Sequence, residues 1–229
     1  MESNFENEFR SYDKALTNLK ELLKERFPRG LRLFDIRLRL AIDIEIDFKG
    51  EVSYTKTKEV KEVYALLVKL MESWNAYEAL SKYVKGTGRY HIGEKIVYGG
   101  YSKEFLAEVS ALSVLKEALD GIRSKCMSDS GFKKDFEELI SKIQSEKNVS
   151  QALKEKCKTV LNNDASGIEI IALIYAQRNM YYHAAEAAKM GMEYANAAYL
   201  IKHLTVYFHK YVLKLATKIF EKEYERYKN

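Results

Sequence analysis

The chain has 229 residues, of which 47% are hydrophobic and 31% are charged, a balance typical of a folded globular protein rather than a disordered or fibrous one. One proline and eleven glycines leave too few turn residues for a β-sandwich or a β-barrel. The net charge of +5 permits an acidic or nucleic-acid partner without requiring one, because lysines and glutamates are interspersed. The composition therefore predicts an all-α protein.

Two features bear on the location of the protein. No apolar run reaches the ~18–20 residues that a membrane-spanning helix needs, and the acidic N-terminus lacks the apolar segment of a signal peptide. Cys126 and Cys157 fit neither a metal-ligand spacing nor a disulfide framework. We therefore expect a cytoplasmic protein with two buried thiols and no membrane partner.

The first predicted element is an amphipathic helix over residues 5–27, with apolar residues three and four positions apart. Ser3 and Glu6 have the spacing of a capping box at its start, and we expect Pro28 and Gly30 to end it.

Residues 31–48 give two conflicting signals. Apolar and polar residues alternate from Leu38 to Phe48, as in a half-buried strand. Residues 51–54 and 92–98 are the only candidate partner strands, and both are weak, while an isolated hairpin is marginal in water. A helix over residues 31–48 is therefore our prediction.

Residues 57–83 have a strong helical pattern, and the glycine-rich stretch that follows is predicted as a loop with a short extended piece at residues 92–98. We expect further helices over residues 102–124, over residues 129–145 and after Ser150.

Residues 162–167 form the best break in the C-terminal half, and Ser166 and Glu169 have the spacing of a second capping box. The remainder is predicted to be helical, ending in one long helix. The predicted architecture is an all-α bundle over residues 57–229 with an N-terminal helical extension, residues 1–56, packed on it, and with room for one small β-hairpin.

The stretch from Gln177 to His183 differs from the helix-building residues around it. Arg178 is followed at once by the polar residue Asn179 and, five positions on, by His183. This spacing resembles the Arg-x(4–6)-His motif of the HEPN (higher eukaryotes and prokaryotes nucleotide-binding) superfamily. The stretch Leu70–Leu80, which contains Trp74 and Glu78, is similar to the Trp/aromatic-Glu helix of several HEPN groups. The resemblance covers residues 57–229 and implies a HEPN-like helical bundle.

The chemistry of Arg178 and His183 suits cleavage of a phosphodiester. An arginine is always charged and offers a planar fork of donors to phosphate oxygens, while a histidine has an ordinary pKa near 6.5 and can exchange protons at cellular pH. In RNA the 2′-hydroxyl can attack its own phosphate, so proton transfer and charge stabilisation suffice. We expect no metal and no cofactor, because His203 and His209 are poorly spaced for a metal site.

The spacing of the motif also predicts an assembly. Residues five apart on a regular helix lie about 140° from one another around its axis, so Arg178 and His183 would point apart. Either the helix is irregular near Arg178, or two chains supply one site across a two-fold axis. The resemblance implies the second arrangement, a homodimer.

The leading hypothesis is thus a metal-independent HEPN endoribonuclease that cleaves single-stranded RNA to a 2′,3′-cyclic phosphate. By resemblance it would act in toxin–antitoxin systems or anti-phage defence, with an antitoxin or regulatory protein as a further partner. Tyr181 and Tyr182 would stack on RNA bases or simply pack at the rim of the core. The alternatives are a non-catalytic HEPN domain that binds nucleotide or a protein partner, and a helical interaction protein in which the motif is accidental.

Overall fold

The computed structural model describes residues 6–48, 58–86, 94–98, 103–107, 109–183 and 190–229. For residues 85–86, 94–98, 103–107, 109–110 and 182–183 only the backbone is described. These parts of the chain contain eight α-helices and one two-stranded antiparallel sheet. The helices are α1 (Glu6–Leu23), α2 (Arg29–Asp43), α3 (Lys58–Gly86), α4 (Val109–Ser128), α5 (Ser130–Ser145), α6 (Gln151–Lys158), α7 (Ile168–His183) and α8 (Tyr194–Lys228), and the strands are β1 (Glu94–Tyr98) and β2 (Lys103–Ala107).

The all-α prediction is confirmed, and the small hairpin is present as β1 and β2, which pair from Glu94 with Ala107 to Tyr98 with Lys103. The helix predicted to start at Ser102 is wrong at its beginning, because residues 103–107 form β2 and α4 begins at Val109. Residues 103–107 contain good helix formers, but pairing with β1 outweighs that local preference.

The N-terminal predictions are largely confirmed. Residues 31–43 are helical, as part of α2, whereas residues 44–48 are not. Pro28 precedes α2 as its N-terminal cap, and Gly30 lies inside α2 rather than ending α1. Ser3 and the predicted boundary between residues 56 and 57 lie outside the described residues.

Helix α8 organises the bundle. It runs for 35 residues, about 50 Å at 1.5 Å per residue, and packs against α1, α3 and α4. Helix α2 packs along α3, so the two N-terminal helices share one hydrophobic core with the rest of the chain. Tyr12, Phe34 and Phe220 show this directly, since the Phe220 ring centroid lies 5.5 Å from that of Tyr12 and 6.2 Å from that of Phe34.

One buried carboxylate joins α1 to α2. The side chain of Asp35 accepts hydrogen bonds from the Tyr12 hydroxyl at 2.8 Å, from Lys20 Nζ at 3.0 Å and from Arg39 Nε at 2.8 Å. Burial alone would raise the pKa of Asp35, but these three hydrogen bonds outweigh it and lower the pKa below its ordinary value. Arg39 also bonds Asp13, which adds a second carboxylate to the network.

Two sequence predictions about the side chains and the membrane can be compared with the structure. Cys126 and Cys157 are free and buried, as predicted. Among the helices of the described residues, none combines the length and the apolar character needed to cross a membrane.

Candidate functional site on helix α7

The start of α7 is fixed by a close approach to α4. Gly167, with φ at +100°, comes so near that a Cβ there would lie 2.7 Å from the backbone nitrogen of Lys116. Glu169 accepts hydrogen bonds from the backbone N–H groups of Ser166 and Gly167, both at 3.0 Å. The bond from Ser166 is the one that the predicted capping box requires of Glu169, and Lys156 Nζ lies 3.6 Å from the same carboxylate.

Helix α7 is buried on nearly every side. From Ile168 to Met180 only Tyr175 and Arg178 are partly exposed, and Tyr181 follows them one turn later. Arg178 is therefore the one charged side chain of the described part of α7 that reaches its partly exposed strip, since Glu169 is 3% exposed. Tyr181 also packs against the core, which is one of the two roles predicted for it.

Asn179 positions Arg178. The Arg178 Nη1 group donates to the Oδ1 atom of Asn179 at 3.2 Å, and Asn179 is itself 6% exposed. A buried neighbour that accepts one guanidinium N–H restricts the rotamers of the arginine and leaves its positive charge intact. This pair is the part of the predicted site that the structure brings together.

The second stretch that resembles HEPN proteins lies beside the first. The Trp74 ring on α3 stacks on Tyr175, one turn before Arg178, with centroids 5.0 Å apart and planes 18° apart. The other face of this cluster is Phe208 of α8, whose centroid lies 5.8 Å from that of Trp74. Trp74 Nε1 donates to Glu78 at 2.9 Å, so Glu78 satisfies the indole N–H. The aromatic cluster thus fixes the turn of α7 that precedes the motif.

His183 is the last residue of α7, and α7 is continuous from Ile168 to that point. A continuous helix sets positions 178 and 183 about 140° apart around its axis. Of the two explanations that the spacing left open, an irregular helix near Arg178 is not what the backbone adopts. The side chains of Tyr182 and His183 lie outside the described part of the chain.

Asp135 of α5 binds the residues at which α8 begins. Its Oδ2 atom accepts from the backbone N–H of Glu193 and from Asn196 Nδ2, each at 2.8 Å. A carboxylate at a helix N-terminus accepts hydrogen bonds from free N–H groups, and its negative charge interacts favourably with the positive end of the helix dipole. Asp135 therefore fixes where α8 begins, eleven residues after His183.

The other two described histidines have structural partners. His203 Nε2 lies 2.8 Å from the carbonyl oxygen of Ala118, and burial lowers its pKa despite this hydrogen bond. His209 Nε2 lies 2.5 Å from Ser73 Oγ, whose hydroxyl proton is donated to the Lys69 carbonyl at 2.7 Å. His209 Nε2 is therefore the donor to Ser73, and the ring is neutral near pH 7 because burial lowers the pKa of His209 to about 3. Within the residues that the structure describes, no group of histidine, cysteine and carboxylate side chains could hold a metal ion.

The arginines of α2 divide into two kinds. Arg29 and Arg32 are exposed, whereas Arg37 and Arg39 are partly buried. Arg39 is held by two carboxylates and lies over the Phe9 ring, with its guanidinium carbon 5.3 Å from the centroid. Of these four arginines, Arg29 and Arg32 present their charges on the exposed surface of α2.

Sequence reasoning includes Gln177 in the motif stretch, directly before Arg178, but does not predict its environment. It is 1% exposed, and neither polar atom of its amide has a hydrogen-bond partner among the described residues. It lines a void of about 10 Å³ with Leu139, Met190 and Met192. No local pattern distinguishes such a residue from a paired buried glutamine, because its surroundings come from α5 and from the segment before α8.

Comparison with family models, with curated proteins and with solved structures finds no significant match for this chain. The resemblance to the HEPN superfamily therefore rests on the residues of the chain and on their placement.

Proposed function

We propose that the protein is a metal-independent endoribonuclease of the HEPN type that acts as a homodimer. The observation that carries the proposal is the Arg178–Asn179 pair, a positioned guanidinium on the partly exposed strip of α7, whose other described side chains are buried. The stacking of Trp74 on Tyr175 supports it, because the α3 stretch that resembles HEPN proteins packs against the turn of α7 that directly precedes the motif.

The proposed mechanism assigns one task to each side chain. Arg178 binds the non-bridging oxygens of the scissile phosphate and stabilises the charge that develops on them. Asn179 positions the guanidinium through its Oδ1 atom. His183 removes the proton from the 2′-hydroxyl or donates one to the 5′-oxygen that leaves. The products are a 2′,3′-cyclic phosphate and a 5′-hydroxyl, and neither step needs a metal or a cofactor.

The regular geometry of α7 favours a site made from two chains. One chain sets positions 178 and 183 on different sides of the helix, whereas a two-fold axis beside α7 can place Arg178 of one chain near His183 of the other. Biological roles in toxin–antitoxin systems or anti-phage defence, with an antitoxin or regulatory partner, belong to this proposal through the resemblance. A cytoplasmic location also belongs to the proposal, because a reducing compartment suits two cysteines that form no disulfide.

The test is an RNA cleavage assay on single-stranded RNA, performed in EDTA. We expect the unaltered protein to cleave, and His183→Ala and Arg178→Ala to lose roughly 10²–10⁴-fold in rate, the usual contribution of acid–base transfer. Arg10→Ala is the matched control, since Arg10 is an exposed arginine paired with Glu6 on α1, and it should cleave normally.

Three outcomes would contradict the proposal. Equal cleavage by His183→Ala and the unaltered protein would exclude a catalytic histidine. Activity that EDTA abolishes and a divalent cation restores would exclude the metal-independent mechanism. RNA or nucleotide binding without cleavage would favour the non-catalytic alternative.

A further inference from the structure

A cavity of about 530 Å³ lies between α4, the start of α5 and the turn that precedes α7. This volume is within the range of sites that bind small molecules. The polar groups of its lining are two cations, a hydroxyl and an amide, and none of its described lining residues is a carboxylate. The lining residues are Arg123, Cys126, Met127, Ser130, Lys133, Leu161 and Asn163.

The guanidinium of Arg123 has two nitrogen donors that no described residue accepts from. Its Nη1 atom lies 3.4 Å from Asp120, a side chain 56% exposed, whereas its Nε and Nη2 atoms are enclosed and have no hydrogen-bond partner within the described part of the chain. Leaving charged donors enclosed and unpaired is unfavourable. Because Arg123 lines the cavity, an anion bound there would give these donors a partner.

The second cation is also available. Lys133 Nζ lies 3.8 Å from Glu137, and both side chains are more than half exposed, so this pair is weak. The nearest carboxylate at the start of α5, Asp129, is already engaged: it accepts from the N–H of Phe132 at 3.0 Å and from Lys125 Nζ at 2.8 Å. Each cation of the lining thus has one carboxylate partner, and both partners, Asp120 and Glu137, are more than half exposed, so an anion in the cavity competes only with weak ion pairs.

Apolar groups form another part of the lining. Met127 is 82% exposed, which is unusual for a large apolar side chain, and Leu161 is partly buried next to it in the lining. We propose that this cavity binds a small phosphomonoester with an aromatic or apolar body. Its phosphate would contact Arg123 and Lys133, and its body would cover Met127 and Leu161.

This site is separate from the motif. Asn163 lies before the start of α7, and Arg178 lies ten residues along α7 from Ile168, about 15 Å at the helical rise. Binding here and cleavage at α7 are measured separately, so either proposal can fail while the other stands.

Calorimetry and thermal unfolding with three probes at constant ionic strength test the proposal. We expect AMP to bind and to raise Tm, inorganic phosphate to do so more weakly, and adenosine to have little effect, because the charge and the apolar body act together. Absence of binding by both AMP and phosphate at millimolar concentration would overturn the proposal. Equal affinity for AMP and phosphate would overturn it as well, since the apolar wall would then contribute nothing.

Adjacent lysines supply a matched pair of variants. Lys133 and Lys134 each lie 3.8 Å from a glutamate four residues on, but only Lys133 lines the cavity. Lys133→Met should weaken AMP binding roughly tenfold or more, as expected for loss of a charge-assisted hydrogen bond, and Lys134→Met should leave it unchanged. Equal losses in the two variants would indicate a diffuse charge effect and would contradict a defined site.

Cys126 lines the cavity, so the rate of its alkylation can be used to detect a bound ligand. It is 8% exposed, whereas Cys157, the other cysteine of the chain, is 0% exposed and has its pKa raised by burial to about 12. Bound AMP should slow alkylation of Cys126 in the unaltered protein and not in Lys133→Met. Alkylation of Cys126 at the same rate with saturating AMP would place the ligand elsewhere and overturn the assignment.

Discussion

Gln177 carries an amide inside the core that has no partner among the described residues, directly beside the residues proposed to act on RNA. A buried polar group without a partner costs roughly 1–3 kcal/mol of stability, and most native structures contain few of them. The side chain is surrounded by Leu139, Met190 and Met192, which an apolar side chain of similar shape would suit better.

We predict that Gln177→Met stabilises the protein by about 1–3 kcal/mol in urea unfolding, because methionine has a similar volume and no unpaired amide. Gln144→Met is the matched control. Gln144 donates to the Lys154 carbonyl at 2.9 Å, so the same substitution there should destabilise. A loss of stability in Gln177→Met would show that the amide has a partner in solution, such as an ordered water.

His209 makes stability depend on pH. Burial, with a contribution from the charge of Lys69, lowers the pKa of His209 from 6.5 to about 3. The unfolded chain therefore binds a proton below about pH 6.5 that the folded protein does not, so this contribution is complete above pH 6.5 and is lost progressively as pH falls toward 3.

We predict that the stability advantage of the unaltered protein over His209→Gln shrinks between pH 7 and pH 5, by up to about 1.4 kcal/mol per pH unit below the unfolded pKa. Urea unfolding of both proteins at each pH measures this difference. Carboxylates that titrate in the same range are common to both proteins and cancel. A difference that stays constant with pH would mean that His209 binds a proton in the folded state.

The sequence predicts the local part of the site and not the part made by distant residues. Arg178 and Asn179 are adjacent, so their spacing is visible in the chain. Ser73 and His209 are 136 positions apart, and Trp74 meets Tyr175 only because α3 and α7 pack together. No periodicity within either helix predicts those pairs, since they depend on which helices become neighbours.

At the scale of elements, the turn into α7 allows the sharpest test. Gly167 combines a positive φ with a close approach to the α4 backbone, whereas Gly191 has a similar φ of +92° but, among the described residues, a Cβ there would meet nothing nearer than Lys142 Cδ at 3.9 Å. The two glycines therefore share the conformational requirement and differ in the available space.

We predict that Gly191→Ala destabilises by roughly 1 kcal/mol from conformation alone, while Gly167→Ala costs at least 1–3 kcal/mol more, because a Cβ forces α7 away from α4. Urea unfolding of the two variants measures the difference. Equal losses would contradict the close approach at Gly167.

Helix α2 shows why the alternating pattern over residues 31–48 was ambiguous. Alternation indicates a strand only if one set of apolar residues is buried, and in α2 Leu38 is buried whereas Ile36 is 58% and Leu40 is 50% exposed. The buried side of α2 instead repeats at helical spacing, through Leu31, Phe34 and Leu38. Ile36 and Leu40, on the exposed side of α2, contribute to the strand-like alternation in the sequence but are not part of the buried face.

For the whole molecule, the proposed site requires two copies of the chain. We predict a mass by light scattering of about twice 26.6 kDa at micromolar concentration. An equimolar mixture of Arg178→Ala and His183→Ala, unfolded and refolded together, should recover about a quarter of normal cleavage, because half of the dimers are mixed and each has one intact site of two.

Sites made within a single chain would give no recovery in that mixture, since every chain would carry one defective residue. A fully active monomer would likewise contradict the shared site.

Because side chains of α1 and α2 pack against α8, part of the hydrophobic core can form only after α8 has been synthesised. Tyr12 and Phe34 leave the ribosome long before Phe220, yet their rings are buried only when all three are in contact. Contacts between segments so distant in sequence form late, and they leave early segments exposed to chaperones and to aggregation in the meantime. The part of the core around Tyr12 and Phe34 is therefore completed only after the turn of α8 that carries Phe220 has been synthesised, some two hundred residues later.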